Sequence, residues 1–293
     1  MRNLIVNADD LAWTEGVNQG ILEAHRRGLL TSASLIANGL AFASALDVAR
    51  DNPELGVGVH LNLSNGPPTA NPSLVRSLLN HSNEFAFHPQ ALFLRILTRQ
   101  LNLNQVQLEW DAQIQKVRDS GIVPSHLDGH KHVHMLPALF PIAVQLAKKH
   151  SIRAIRISHE HTRLRVLLSG ANQQNKALLM QTLQAYALRL LARDARAIAH
   201  RAGLATTDYF CGIAHTGVLT RQGVATLLKN LPDGTTEFMC HPGYADQDLR
   251  QSPTRLQQSR QTELDILTDP GLRKLVATTG IRLISYRFTG DTA

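Results

Sequence analysis

A chain of 293 residues, 43% of them hydrophobic, can bury a large core and has the length at which α/β barrels are common, so one domain over residues 1–293 is expected. Its two cysteines, Cys211 and Cys240, exclude a disulfide framework and lie in no Cys-x-x-Cys motif, and no run of about 18 uncharged apolar residues suggests a membrane span. The formal charge of +7 would suit a nucleic acid, but the basic residues are scattered, which argues against one; an N-terminus without a basic leader or apolar segment gives a cytoplasmic expectation.

Leu4 to Asn7 reads as a first strand, and Thr14 to about Arg27 as a helix with Val17, Ile21, Leu22 and Ala24 at apolar spacing and Gly28 at its end. Thr31 to Ala37 reads as a second strand, Ala41 to Asp51 as a helix stopped before Pro53, and Val57 to Leu63 as a third strand. From Gly66 to about Asn104 the pattern weakens under Pro67, Pro68, Pro72 and Pro89, which predicts an elaborated loop with short helices. Helices follow at Gln105 to Arg118 and Ala138 to His150, and strands at Pro124 to Asp128 and Ala154 to Ile157. A long helix is expected over about 175–202, in which Lys176, Arg189, Arg193, Arg196 and Arg201 accompany Leu178, Leu183 and Leu190. An ordinary solvated basic face is the default for it, with peripheral membrane contact through residues 176–201 as the alternative. A short apolar piece at Tyr209 and Phe210, a helix at Arg221 to Lys229, a strand at Thr236 to Cys240, a helical region at Thr254 to Thr278 and a strand at Ile281 to Tyr286 complete the chain. Short strands alternating with helices predict an α/β fold around a parallel sheet or barrel.

The chemistry collects at strand ends, where barrel enzymes place their catalytic groups. Asp9 and Asp10 end the first strand; adjacent residues leaving a strand diverge, so one carboxylate can bind a metal while the other acts as a base, although an acidic pair also caps turns. His60 is a polar ring in an apolar strand, a candidate metal ligand or a satisfied core residue, with Asn62 on the same face. His126, Asp128, His130, His132 and His134 share one parity until Gly129 interrupts the strand, which predicts a loop bringing His130, with His132 or His134 as further candidates, over the barrel mouth and leaves Asp128 to hold a ligating imidazole through its other nitrogen. His241-Pro242-Gly243 after the last long strand is a turn that would fix an imidazole on the same face as a proton donor. No Gly-x-Ser-x-Gly, phosphate loop or Gly-x-Gly-x-x-Gly is present.

Asn7-Ala8-Asp9-Asp10, Thr31-Ser32-Ala33-Ser34, Val57 to Leu63, Ser125 to His134 and Met239 to Tyr244 resemble, in order, the successive motifs of the YdjC-like carbohydrate deacetylases, which include chitooligosaccharide deacetylase. The resemblance implies a distorted (β/α) barrel related to polysaccharide-deacetylase-type barrels, one divalent metal ion, magnesium or zinc, and hydrolysis of an N-acetyl group from an amino sugar, oligosaccharide or glycolipid. It makes Asp10, His60 and His130 the metal ligands, with His126 the rival for the third position, Asp9 the general base and His241 the general acid. Arg156 and Asn62 become substrate contacts, although Arg156 to Glu160 follows the family pattern only in part, and Leu11-Ala12 stands where the family has Phe-Gly. Thr206-Thr207-Asp208 and the long helix also resemble members linked to hopanoid lipid biosynthesis. A metal-dependent phosphoesterase and a noncatalytic sugar- or metal-binding protein are the alternatives, and a homodimer is compatible with the sequence.

Overall fold

The computed structural model describes residues 1–85, 87–161, 163 and 194–288. The first strand, β1 (Arg2–Leu11), is buried from Leu4 onward on both faces and lies inside a parallel sheet, where such a strand belongs. On one side of it β2 (Ser32–Leu35), β3 (Gly56–Leu61) and β4 (Leu127–Gly129) add in sequence order. On the other side come β6 (Gly234–Cys240) and then β5 (Tyr209–Cys211), while β7 (Ile281–Leu283) pairs with the start of β1.

The sheet is curled into a half-barrel, and segment 154–160 spans its two edges. Ile155 bridges Leu127 on β4, and Glu160 bridges Phe210 on β5, both in parallel. The strand expected at Ala154 to Ile157 is therefore present as single bridges and not as a ladder; its backbone groups are still paired, with Arg156 N donating to Leu127 O at 2.9 Å and Ile155 N to Ala205 O at 3.0 Å. The third strand stops two residues short of the expected Leu63 because Asn62 turns the chain, and the last stops at Leu283, with Tyr286 in a short 3-10 turn.

Helices cover the outside of the sheet. α1 (Glu15–Arg27) starts on Thr14, whose hydroxyl accepts from Val17 N at 3.3 Å, and buries Val17, Ile21 and Ala24 while its last turn carries His25, Arg26 and Arg27, favourable at the negative end of the helix dipole. α2 (Phe42–Arg50) connects β2 to β3. The proline-rich excursion holds two 3-10 turns, Pro72–Leu74 and Arg76–Leu78, and one short helix, α3 (Pro89–Leu97). α4 (Leu103–Asp119) turns Val106, Trp110, Ile114 and Val117 to the core at three- and four-residue spacing. Each such side chain stabilises the fold by roughly 1.5–3 kcal/mol, and Trp110→Ala is the single change most damaging to that face. α5 (Phe140–Lys149) follows, and residues 194–201 are helical; residues 175–193 of the long basic helix expectation lie outside the described residues. α6 (Arg221–Lys229), α7 (Gln247–Gln251), α8 (Gln258–Leu267) and α9 (Pro270–Thr278) complete the layer. Among the described residues no helix is long and apolar enough to cross a membrane.

Candidate active site

The end of β1 is distorted in a way that separates its two carboxylates. Its register against β2 shifts between Ala8 and Leu11, and Asp10 (φ 72°) and Ala12 (φ 81°) adopt left-handed backbone, a conformation that aspartate tolerates better than most residues. Asp9 consequently faces Arg156, which holds both of its oxygens at 2.9 and 2.7 Å. Asp10 faces Arg260 on α8, whose guanidinium donates to Oδ2 at 2.5 Å, while Oδ1 lies 3.0 Å from His130 Nδ1 and 3.7 Å from His60 Nε2.

His60 and Asp128 are in register on neighbouring strands, and His60 Nδ1 sits 2.8 Å from Asp128 Oδ1, so the ring presents Nε2 to Asp9 and Asp10. β4 ends at Gly129, and left-handed Lys131 (φ 53°) and His132 (φ 59°) fold the following turn so that His130 covers Asp10. His241 follows β6; its backbone N–H donates to Glu263 Oε2 at 2.6 Å, and the Gly243 N–H donates to Arg260 O, so one helix, α8, steadies both the His241 turn and Asp10. Backbone strain of this kind, gathered beside buried polar groups, is characteristic of sites where surrounding structure fixes a reactive geometry.

Asp9, Asp10, His60, His130 and His241 form the floor of a cavity of about 780 Å³. Its walls are mostly apolar: Trp13, Phe93 on α3, Leu136, Ile213, Met239 and Leu256. Trp13 packs on His130, with ring centroids 5.3 Å apart, and its indole N–H is held by Ser252 Oγ at 3.1 Å.

Under this floor lies Arg156, fully buried and in contact with three carboxylates: Asp9, Asp128 Oδ2 at 2.8 Å and Glu237 Oε1 at 2.8 Å. Burial pushes the Asp9 carboxyl up, but Arg156 and then His60 outweigh it and hold Asp9 below the usual carboxylate range. Burial likewise opposes ionisation of Asp10 and Asp128, yet Arg260 beside the one and Arg156 beside the other keep both well below that range. All three are carboxylates at neutral pH. Burial would neutralise His60, but Asp128, Asp9 and Asp10 together raise its ring to about 9. His241 shows the opposite outcome, since burial outweighs the attraction of Asp10 and Asp9 and lowers it to about 4.

The donor set suits a divalent cation. Asp10, His60 and His130 each offer a ligand atom, and the three lie within 4.8 Å of one another. His130 Nε2 is buried without a hydrogen-bond partner, and Asp10 Oδ1 has only its ion-pair approach to His130 Nδ1, the state of groups arranged for something other than the protein. A second grouping, Asp9, His60 and Asp128, satisfies the same distances, but Arg156 already occupies both of its carboxylates and would repel a cation there. Asp9 and Asp10 both approach His60 Nε2, at 3.9 and 3.7 Å, so negative charge gathers where a cation would bind.

Three positions differ from the sequence expectations. Arg156 does not reach the cavity; it is fully buried beneath Asp9, because segment 154–160 closes the barrel from inside the ring of carboxylates. Asn62 is also buried, spending its side chain on Asn38 Oδ1, Asn65 O and Ser64 N, where it shapes the loop after β3. His126 stands away from the ligand cluster, stacked on Tyr286 with centroids 3.9 Å apart and bonded to Ser125 and Ser34. His132 contacts Ser158 Oγ and His134 contacts Arg156 O, so the histidine run serves several sites. Arg260, Glu263 and Trp13 were not singled out in the sequence. The first two resemble any charged pair one helical turn apart, and only the aromatic two residues after Ala-Asp-Asp-Leu offered a signal.

The YdjC-like protein family matches residues 3–278 of this chain. The carbohydrate deacetylase of Geobacillus stearothermophilus is 35% identical over 289 residues, covering 98% of this chain and 97% of that protein. The chitooligosaccharide deacetylase of Citrobacter koseri is 33% identical over 287 residues, with coverage of 97% and 98%. A solved structure from Enterococcus faecalis V583, described provisionally as a cellobiose-phosphate cleavage protein, superposes with a TM-score of 0.75 at 28% identity and covers 97% of each chain.

Proposed function

We propose that this chain, which belongs to the YdjC-like protein family, is a metal-dependent carbohydrate N-deacetylase that hydrolyses the acetamide of an amino sugar, free, oligomeric or lipid-linked. The observation that carries the reading is the convergence of Asp10, His60 and His130 on one point of a cavity floor, with Asp9 beside them and relatives named as deacetylases of carbohydrates. A divalent cation on those three side chains, zinc or magnesium, would supply Lewis acidity that polarises a carbonyl and acidifies water.

Asp9 begins ionised and lines the cavity, which fits a base that takes the proton of the attacking water. Arg156 and Asn7 hold its carboxylate in one orientation, with Asn7 Nδ2 donating to Oδ1 at 3.0 Å, so no rotamer search precedes proton transfer. Asp128 fixes the His60 ring and directs Nε2 to the ligand point. His241 is the candidate donor to the departing amine nitrogen. Being neutral, it must first collect a proton, and this favours a second assignment in which Asp9 returns to the amine the proton it took from water. His241→Ala losing activity as severely as Asp9→Ala supports the first assignment, and a loss smaller by two orders of magnitude supports the second. Apolar walls beside the polar floor suit a substrate with one polar end, and the exposed Leu94 and Leu97 that continue from Phe93 along α3 extend that apolar surface outward.

The test is acetate release from N-acetylglucosamine oligomers and lipid-linked amino sugars by wild type and Asp9→Ala, after the metal content of both has been determined. Release by wild type, lost in Asp9→Ala with metal retained, is the expected result. A metal-loaded wild type inactive on every acetylated sugar overturns deacetylation and leaves a binding role.

A further inference from the structure

We infer that Ser34 and Asn7 are positioning residues that link the base Asp9 to the partner of the metal ligand His60, so that neither carboxylate can move alone. The inference rests on the proposed roles of Asp9 and His60, and its observation is a closed circuit of buried hydrogen bonds. Asn7 Nδ2 donates one proton to Asp9 Oδ1 at 3.0 Å and the other to Ser34 Oγ at 2.8 Å. Ser34 Oγ–H donates to Asp128 Oδ2 at 2.7 Å. Arg156 Nη1 joins that same Asp128 oxygen, at 2.8 Å, to Asp9 Oδ2, at 2.9 Å, which closes the ring. Ser34, Asn7 and Asp128 have no exposure and Asp9 has 3%, so water cannot substitute for any member.

The direction of each bond is fixed by chemistry. Asp9 and Asp128 are held ionised and can only accept; the amide nitrogen can only donate; the hydroxyl has one proton, which goes to Asp128. The lone pairs of Ser34 Oγ then receive Asn7 and, at 3.3 Å, His126 Nε2, whose other nitrogen lies 2.9 Å from the Ser125 hydroxyl. His126, standing off the ligand point, thus saturates Ser34. Asp128 Oδ1 carries the effect to His60 Nδ1 at 2.8 Å. Ser34 touches neither cavity nor ligand point, yet it is one residue from Asp9 through Asn7 and one from His60 through Asp128. Apolar or merely polar packing would not need a hydroxyl with three named partners at this position.

Ser32 provides a matched control. It lies two residues away on β2 and is equally buried, and its hydroxyl accepts from Tyr286 N at 3.1 Å and makes no hydrogen bond to Asn7, Asp9 or Asp128. Ser34→Ala, Asn7→Ala, the double variant and Ser32→Ala would be titrated in metal-free form with zinc alone, and kcat and KM measured for zinc-loaded protein on whichever acetylated sugar the wild type hydrolyses. Ser34→Ala should weaken zinc binding by about 10–100-fold and lower kcat with little change in KM. The Asn7/Ser34 double variant should be no worse than the poorer single variant, because both cut one circuit. Ser32→Ala should lose thermal stability comparably while keeping zinc affinity within about twofold. Wild-type zinc affinity and kcat in Ser34→Ala, or equal losses in Ser32→Ala, overturn the inference. A wild type that binds no zinc and releases no acetate sinks the proposed function and not the circuit; a crystal structure of Ser34→Ala then decides, and Asp9 and Asp128 in unchanged positions overturn it.

Discussion

Replacing Arg156 with methionine removes the one cation shared by Asp9, Asp128 and Glu237 while preserving most of the side-chain volume. The arginine is fully buried, and breaking a buried ion pair by removing one partner costs about 3–5 kcal/mol. The cost is not tripled by three partners, because stranded carboxylates take up protons before they remain charged in a low dielectric. In a domain of this size each kcal/mol moves the melting midpoint by roughly 2–4 °C, so Arg156→Met should melt roughly 6–20 °C below wild type at pH 7. The pH dependence has a definite sign. Asp9 and Asp128 are held low in wild type, so their contribution is present above the ordinary carboxylate value and lost only as pH falls from there to their lowered values. In the variant burial acts on them without Arg156 and raises them, so the gap between the proteins should narrow from pH 7 to pH 4. Circular dichroism melts of metal-free protein at both pH values measure it. A shift below about 3 °C, or a gap that widens on acidification, refutes the ion network as described.

Asp10→Asn keeps the shape and the tolerance for left-handed backbone but removes the ligand charge, so calorimetry should find zinc binding weakened at least about 100-fold with the far-ultraviolet spectrum retained. Metal-free protein should be most stable near pH 6.5: the raised His60 contributes below about 6.5 and loses that contribution as pH rises to about 9, whereas His126 and His134, held neutral by burial with values of about 3 and about 4, contribute above about 6.5 and lose it on acidification. Each histidine should give a slope of roughly 1.4 kcal/mol per pH unit in denaturant unfolding, and a flat profile would show that these rings titrate freely. Gly58→Ala puts a methyl 2.4 Å from His126 Cε1 and should lower stability by roughly 1–3 kcal/mol; an unchanged denaturation midpoint would mean that the ring moves aside without cost.

The order of strands and helices was legible because this sheet is buried on both faces, and continuous apolar runs such as Leu4 to Val6 and Val57 to Val59 announce it. Strand position alone offered an Asp9–Asp10 pair, His60 within its strand and a run of histidines after β4; the choice of Asp10, His60 and His130, which do converge within 4.8 Å, came from the family resemblance. Arg156 enters as a substrate contact only through a partial match to the family pattern, and the inward course of segment 154–160, which has no local signature, buries it away from the cavity. Arg260 and Glu263 were invisible for a related reason: their partners, Asp10 and the His241 N–H, lie more than 20 residues away, and helical periodicity carries no such information. Ser34 lies in a family-like motif, but a hydroxyl in a strand acquires meaning only from what its neighbours present.

β1 precedes every other described element along the chain and lies inside the finished sheet, flanked by β2 and β6. Asp10 must wait for Arg260, 250 residues later, and Asp9 for Arg156. At about 5–20 residues per second that interval is roughly 12–50 s, during which two adjacent acidic groups belong to a strand with one edge unpaired. Until β6 and α8 have emerged, the nascent chain can be compact on one side and still hold Asp10 without its guanidinium. Premature termination before β6 would leave β1 with an open apolar edge, and termination between β6 and α8 would leave Asp10, His60 and His130 all present but Asp10 without its guanidinium, products for chaperones and proteases to remove.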